Sequence, residues 1–307
     1  MNEKTQIEHK KTLPFALAVI GLTAVAIALN TLSLLNFYEA DIGYFVRGAV
    51  LPMIFNILLV VGVVFMAGFA IFALKKNETS ISAHHPACKY AALLPVAAFG
   101  LLLWDRAYYF FDAAKLGILQ NPLLSFLSPL FTMAAVALFI SYCLGVKPSV
   151  STAVWGTLTI AMLAYDVFVL HSDLTIAMNS PQKLSFNFAA LSAMLFIVAE
   201  LRIIYGVPKP RFYLFSIGCA TLFLGAYSLP YTVAHLVGTC ESVSPKATLA
   251  SLALFIFVLV RFISAVFIEN AEKETSEITN ESVEANETAN ADIPDTEESS
   301  SENTSEE

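Results

Sequence analysis

Apolar residues in this chain neither alternate with polar ones nor keep to one side of a helix; they arrive in eight runs separated by short polar stretches, at about 13–35, 50–74, 90–111, 123–145, 150–170, 184–205, 212–234 and 247–268. A helix rising 1.5 Å per residue needs about 20 apolar residues to cross a hydrocarbon core of about 30 Å, so each run is long enough to span a bilayer. The pattern predicts an all-α polytopic membrane protein of eight transmembrane helices over residues 13–268, preceded by a short polar N-terminus at 1–12. After Ile268 the only large aliphatic residues are Ile278, Val283 and Ile293. Residues 269–307 cannot bury a core and are expected to form a disordered acidic tail.

Composition agrees with the pattern and corrects the charge. Hydrophobic residues make up 57% of the 307-residue chain and charged residues 14%, with a mean hydropathy of +0.69, which excludes an ordinary soluble domain. The net charge of -8 misleads, because residues 269–307 hold fourteen carboxylates against Lys273 alone. Residues 1–268 therefore carry 16 basic and 11 acidic side chains, a net of +5. Cys88, Cys143, Cys219 and Cys240 are scattered and imply no disulfide framework. The N-terminus MNEKTQIEHKK leads into a long apolar run without a small-residue cleavage site, which reads as a retained signal anchor.

Orientation follows from the lysines and arginines. A cytoplasmic N-terminus places Lys4, Lys10, Lys11, Lys75, Lys76, Lys89, Lys147, Arg202, Lys209, Arg211, Arg261 and Lys273 inside and leaves Arg47, Arg106, Lys115, Lys183 and Lys246 outside. That bias predicts that both termini are cytoplasmic. The stretch NSPQKLSFNFAALSAMLFIVAELRIIYGVPKPR, from Asn179 to Arg211, fits this frame: Ser180 can cap a helix, Pro181 can occupy its first turn, and Glu200 and Arg202 mark its cytoplasmic edge. The same stretch resembles a segment of uncharacterised multipass membrane proteins of anaerobic Gram-positive bacteria, in which an Asn-x-Pro-x-Lys start leads into an apolar helix ending in an acidic-x-Arg pair. The resemblance implies a bacterial plasma membrane and brings no activity with it.

An internal repeat adds architecture. WDRAYYFFDAAKLGILQNPLLSF (104–126) and YDVFVLHSDLTIAMNSPQKLSF (165–186) share an aromatic-Asp pair, a second Asp seven residues on, a Pro and Leu-Ser-Phe; GVKP and GVPKP follow. The landmarks recur at offsets of 59 to 61 residues. A unit of two spans keeps every copy in one orientation, so the chain is expected to be four parallel-repeat helical hairpins about an axis along the membrane normal.

The polar groups within the spans supply the candidate site. Asp105 and Asp166 fall about 24 to 26 Å along their helices, in the outer quarter of the core. Asp105 and Asp112 are seven apart, with Tyr108 and Tyr109 between them, and Asp166 and Asp173 repeat the spacing; Tyr227, Tyr231 and His235 are spaced by four. Convergence of these stripes, joined by Glu39, Asp41, Arg106 and His171, predicts a shallow outward-facing polar pocket able to take a cation or a small polar solute. The competing structural reading is that the acids and tyrosines only fix hairpin packing at the headgroup boundary. Near the inner boundary Glu200 and Arg261 lie at one depth and are expected to pair.

The search for chemistry is otherwise negative. His84, His85 and Cys88 in HHPACKY lack a fourth ligand nearby, so no metal is expected. Hydrolase, metalloprotease, phosphate-loop and kinase motifs do not occur, so no catalytic residue and no cofactor is implied. The expected partners are the lipid bilayer and either a small solute or a membrane protein; nothing points to nucleic acid. Two functions fit: a non-enzymatic membrane sensor or accessory subunit using the outer pocket, ranked first, and a permease-like transporter of a small polar solute or cation. A permease needs a polar or small-residue path through the inner half, whereas a sensor needs that half sealed.

Overall fold

The computed structural model describes residues 3–73, 86–118, 121–207, 209–239 and 244–268. The expected acidic tail at 269–307, His84, His85 and Cys240 lie outside the described residues, as do the side chains of residues 3–12, 73, 86, 267 and 268. The helices are α1 (Glu3–Phe37), α2 (Val50–Gly68), α3 (Pro86–Ala91), α4 (Leu93–Lys115), α5 (Pro122–Cys143), α6 (Val150–Ser172), α7 (Pro181–Ile204), α8 (Pro210–Val237) and α9 (Pro245–Ile263). Eight spans, with α3 and α4 forming one of them, are long and apolar enough to cross a membrane. A two-residue antiparallel pair, β1 (Tyr38–Glu39) and β2 (Tyr44–Phe45), closes the turn between α1 and α2.

Local chemistry sets the boundaries. Proline opens α5, α7, α8 and α9 in the first turn, where its missing N–H breaks no helical bond. Ser149 and Ser180 cap α6 and α7, their hydroxyls accepting from the amides of Thr152 and Lys183 at 3.2 Å each. The third span is interrupted at Ala92 because Pro95 cannot donate to the carbonyl four residues back. Two features have no counterpart in the apolar pattern: α2 and α9 each end in a π-helical turn, Phe69–Ala73 and Ser264–Ile268.

Six spans close a ring. Each of α4, α5, α6, α7, α8 and α9 packs on the next, and α4 returns to α9. The α1–α2 pair stands outside this ring against α8. The reason lies in α8: a Cβ on Gly218 would come within 2.8 Å of Met66, and one on Gly225 within 2.8 Å of Thr23 and Phe255. Only glycine lets neighbours approach that closely. Asn30 on α1, buried, donates to the Ala226 carbonyl of α8 at 2.7 Å and adds a polar tie. The end bearing the α4–α5, α6–α7 and α8–α9 turns is here called the hairpin face, and the opposite end the terminal face.

Candidate functional site

Inside the ring, in the half toward the hairpin face, lies a cavity of about 240 Å³. Its walls come from α4 (Phe99, Leu102, Arg106), α6 (Met162, Leu163, Asp166, Val169, Leu170), α7 (Gln182, Phe186, Ala189, Ala190), α8 (Leu224, Tyr227) and α9 (Ala247, Ala250, Ser251, Leu254). Asp173, Ile176 and Ser244 line it at the hairpin face. The lining is mainly apolar, not the polar basin expected from the acid and tyrosine stripes.

Arg106 organises the polar wall. Its Nη2 donates to Asp166 Oδ1 at 2.7 Å and its Nη1 to Thr132 Oγ1 at 2.7 Å, tying α4 to α6 and α5. The two charged side chains keep 16% and 18% of their surface, so the pair is accessible, not sealed. Asp173 follows α6, and its Oδ1 accepts from the Thr175 hydroxyl at 2.6 Å and the Thr175 amide at 2.9 Å. Those bonds hold the Asp173 carboxyl below the usual carboxylate range. The buried Lys183 ammonium donates to the Asp173 carbonyl at 2.7 Å.

Of the ten candidate pocket residues, Arg106, Asp166, Asp173 and Tyr227 line the cavity. The others do not. Asp105 forms an ion pair with Lys246 at the α4–α9 seam, and Asp112 and Tyr109 are exposed. His171 Nε2 lies 2.7 Å from Asn187 Nδ2. Tyr231 is buried beside Tyr227, ring centroids 4.9 Å apart, and His235 is half-buried in the last turn of α8. Glu39 and Asp41 are exposed in the turn between α1 and α2. The physical reason is rotation: neighbouring residues on a helix point about 100° apart, so Arg106 turns into the ring while Asp105 and its companions turn away. Gln182, Ser244 and Ser251 were missed because a single polar residue carries no spacing signal, and Phe186 because its place in the repeated Leu-Ser-Phe marks the repeat without marking a cavity wall.

Toward the terminal face, among the described residues, aromatic side chains fill the ring. Phe257 packs against Phe139, Tyr142 and Phe196 at centroid distances of 5.1, 5.2 and 6.2 Å, and Phe99 stacks on Phe139 at 5.8 Å. The space left beside them is about 10 Å³, at the limit for one water. Beneath this plug Arg261 Nε donates to Glu200 Oε1 at 2.8 Å, both side chains 1% exposed. Tyr213 and Tyr142 donate to the same carboxylate at 2.6 and 3.1 Å, and the guanidinium lies 5.6 Å from the Tyr213 ring centroid. Cys88 Sγ, 3.4 Å from Ser264 Oγ, borders the cluster. Among the described residues no group of three acidic, histidine or cysteine side chains could hold a metal ion.

Fold and site together define an all-α multipass membrane protein with a half-open, mainly apolar cavity at one end. No known protein family, curated protein or solved structure matches the chain.

Proposed function

We propose that this chain is a non-enzymatic sensor or accessory subunit of the bacterial plasma membrane, which binds a small molecule from the outer side and does not conduct it. The aromatic plug of Phe99, Phe139, Phe196 and Phe257 carries the reading. A permease would need a polar path from Arg106 and Asp166 toward the loops holding Lys147 and Arg202, and that path is occupied by packed rings above a buried ion pair. The lysine and arginine distribution supports cytoplasmic termini, which makes the hairpin face the outer one.

The reading includes parallel repeats for the ring. Arg106 and Asp166 are 60 residues apart, Glu200 and Arg261 are 61 apart, and both pairs bond. Residues one repeat apart sit at equal depth about a common axis, so side chains aimed at that axis meet. The spacing of both pairs supports three related hairpins, α4–α5, α6–α7 and α8–α9.

Cysteine accessibility tests the proposal. With Cys88, Cys143, Cys219 and Cys240 replaced by serine, Ser251→Cys in the cavity should react with a membrane-impermeant thiol reagent added outside, and Ile197→Cys beside the plug with reagent from neither side. Reaction of either cysteine from the cytoplasmic side overturns the one-sided site.

A further inference from the structure

Resting on the one-sided reading, we infer that the cavity takes a single-chain amphiphile: a flexible apolar tail carrying one cationic, hydrogen-bond-donating head, the chemistry of a primary alkylammonium. Shape argues for the tail. Along α9 the lining runs from Ser244 to Leu254 and along α6 from Asp173 back to Met162, a depth of about 15 Å at 1.5 Å per residue. A volume of about 240 Å³ over such a depth is narrow. The inner part is walled by Phe99, Leu102, Met162, Ala190 and Leu254, and dry apolar cavities of about 150 Å³ already take up apolar guests.

Charge and bonding capacity argue for the head. Among the described residues the lining holds two carboxylates, Asp166 and Asp173, and one guanidinium, Arg106. Lys183 donates its ammonium to the Asp173 carbonyl and its charge reaches the Asp173 carboxyl, which leaves Asp166 as the acid open to a head group. Asp166 Oδ1 accepts from Arg106, and among the described residues nothing donates to Oδ2. An ionised carboxylate only accepts, so the open oxygen calls for an N–H or O–H donor. An anionic head would compete with Asp166 for Arg106 while facing like charge. The rings of Phe186 and Tyr227 in the same wall favour a cation further.

The test uses the full chain in zwitterionic-lipid nanodiscs at neutral pH, with hexyl-, octyl- and decylamine, octanol and octanoate as probes in equilibrium dialysis against empty nanodiscs. Saturable binding is expected, about threefold to fourfold tighter per added methylene, with octylamine at least about tenfold tighter than octanoate and octanol between them. Ala250→Phe and Ala190→Phe, which fill the cavity without touching a charge, should abolish binding. Octanoate binding as tightly as octylamine, an affinity flat across the three amines, or no saturable amine binding to the wild-type chain overturns the ligand class and leaves the one-sided reading to its accessibility test. Protein-dependent flux of octylamine across proteoliposomes does the reverse: it removes the one-sided reading and leaves the ligand class standing.

Discussion

Arg106 and Arg261 both reach inside the ring, in opposite surroundings. Arg106 shares its charge with a half-open cavity, whereas Arg261 and Glu200 are wholly buried and depend on each other and on two tyrosine hydroxyls. A buried carboxylate loses its hydration and must recover it from donors; three groups supply them here. Tyr213→Phe removes the shortest, and a hydrogen bond to a charged group is worth about 1.5–3 kcal/mol. The variant is expected to lose that much in thermal or denaturant unfolding. Glu200→Arg places two like charges in one dry site and should lower expression severely, and Arg261→Glu added to it should restore expression in part; failure of the double variant to exceed the single one removes the pair from the account. The depth at which Glu200 and Arg261 lie could be read from helical rise alone. Tyr142 and Tyr213 could not, because a tyrosine in an apolar run looks the same facing lipid or facing a carboxylate.

Among the elements α8 has the most neighbours: α1, α2, α7 and α9 all pack on it, and most of its residues are buried. Its glycines decide how close they come. A Cβ at Gly225 would sit 2.8 Å from both Thr23 of α1 and the Phe255 ring of α9. Gly225→Ala is therefore expected to destabilise by about 1–3 kcal/mol, the usual cost of overpacking. Gly100 on α4 has no atom within 4 Å of an added Cβ, so Gly100→Ala should be neutral or stabilising by up to about 1 kcal/mol through backbone entropy alone. Opposite signs from one substitution type, measured in one unfolding assay, check the packing of α1 and α9 on α8. The elements themselves were legible because a run of about 20 apolar residues leaves few alternatives. Their arrangement was not: lipid and a neighbouring helix are equally apolar, so hydropathy does not say that six spans close a ring and two stand outside it, nor which way each helix turns its polar residues.

At the scale of the molecule the question is what separates the cavity from the terminal face, since that decides between holding a ligand and passing it. The barrier is thin in sequence terms, with Phe257 touching Phe139 and Tyr142 of α5 and Phe196 of α7. Phe257→Ala removes the ring they share. The cost in stability is about 3–5 kcal/mol for a buried phenylalanine, and because Phe257 lines the small space beside Glu200, the void created is expected to join that space to the cavity. Two results then follow together if the barrier is aromatic packing. Proteoliposomes bearing the variant should leak a small cation such as methylammonium while wild-type vesicles stay tight, and adding Glu200→Gln with Arg261→Met to the variant should raise the leak further by removing the last fixed charges from the path. Phe257→Leu, which refills most of the volume, should restore tightness and separates a hole in the plug from a misfolded protein. A wild-type chain that already passes methylammonium would mean that the rings swing aside in the membrane, and the cavity would then be a station on a route.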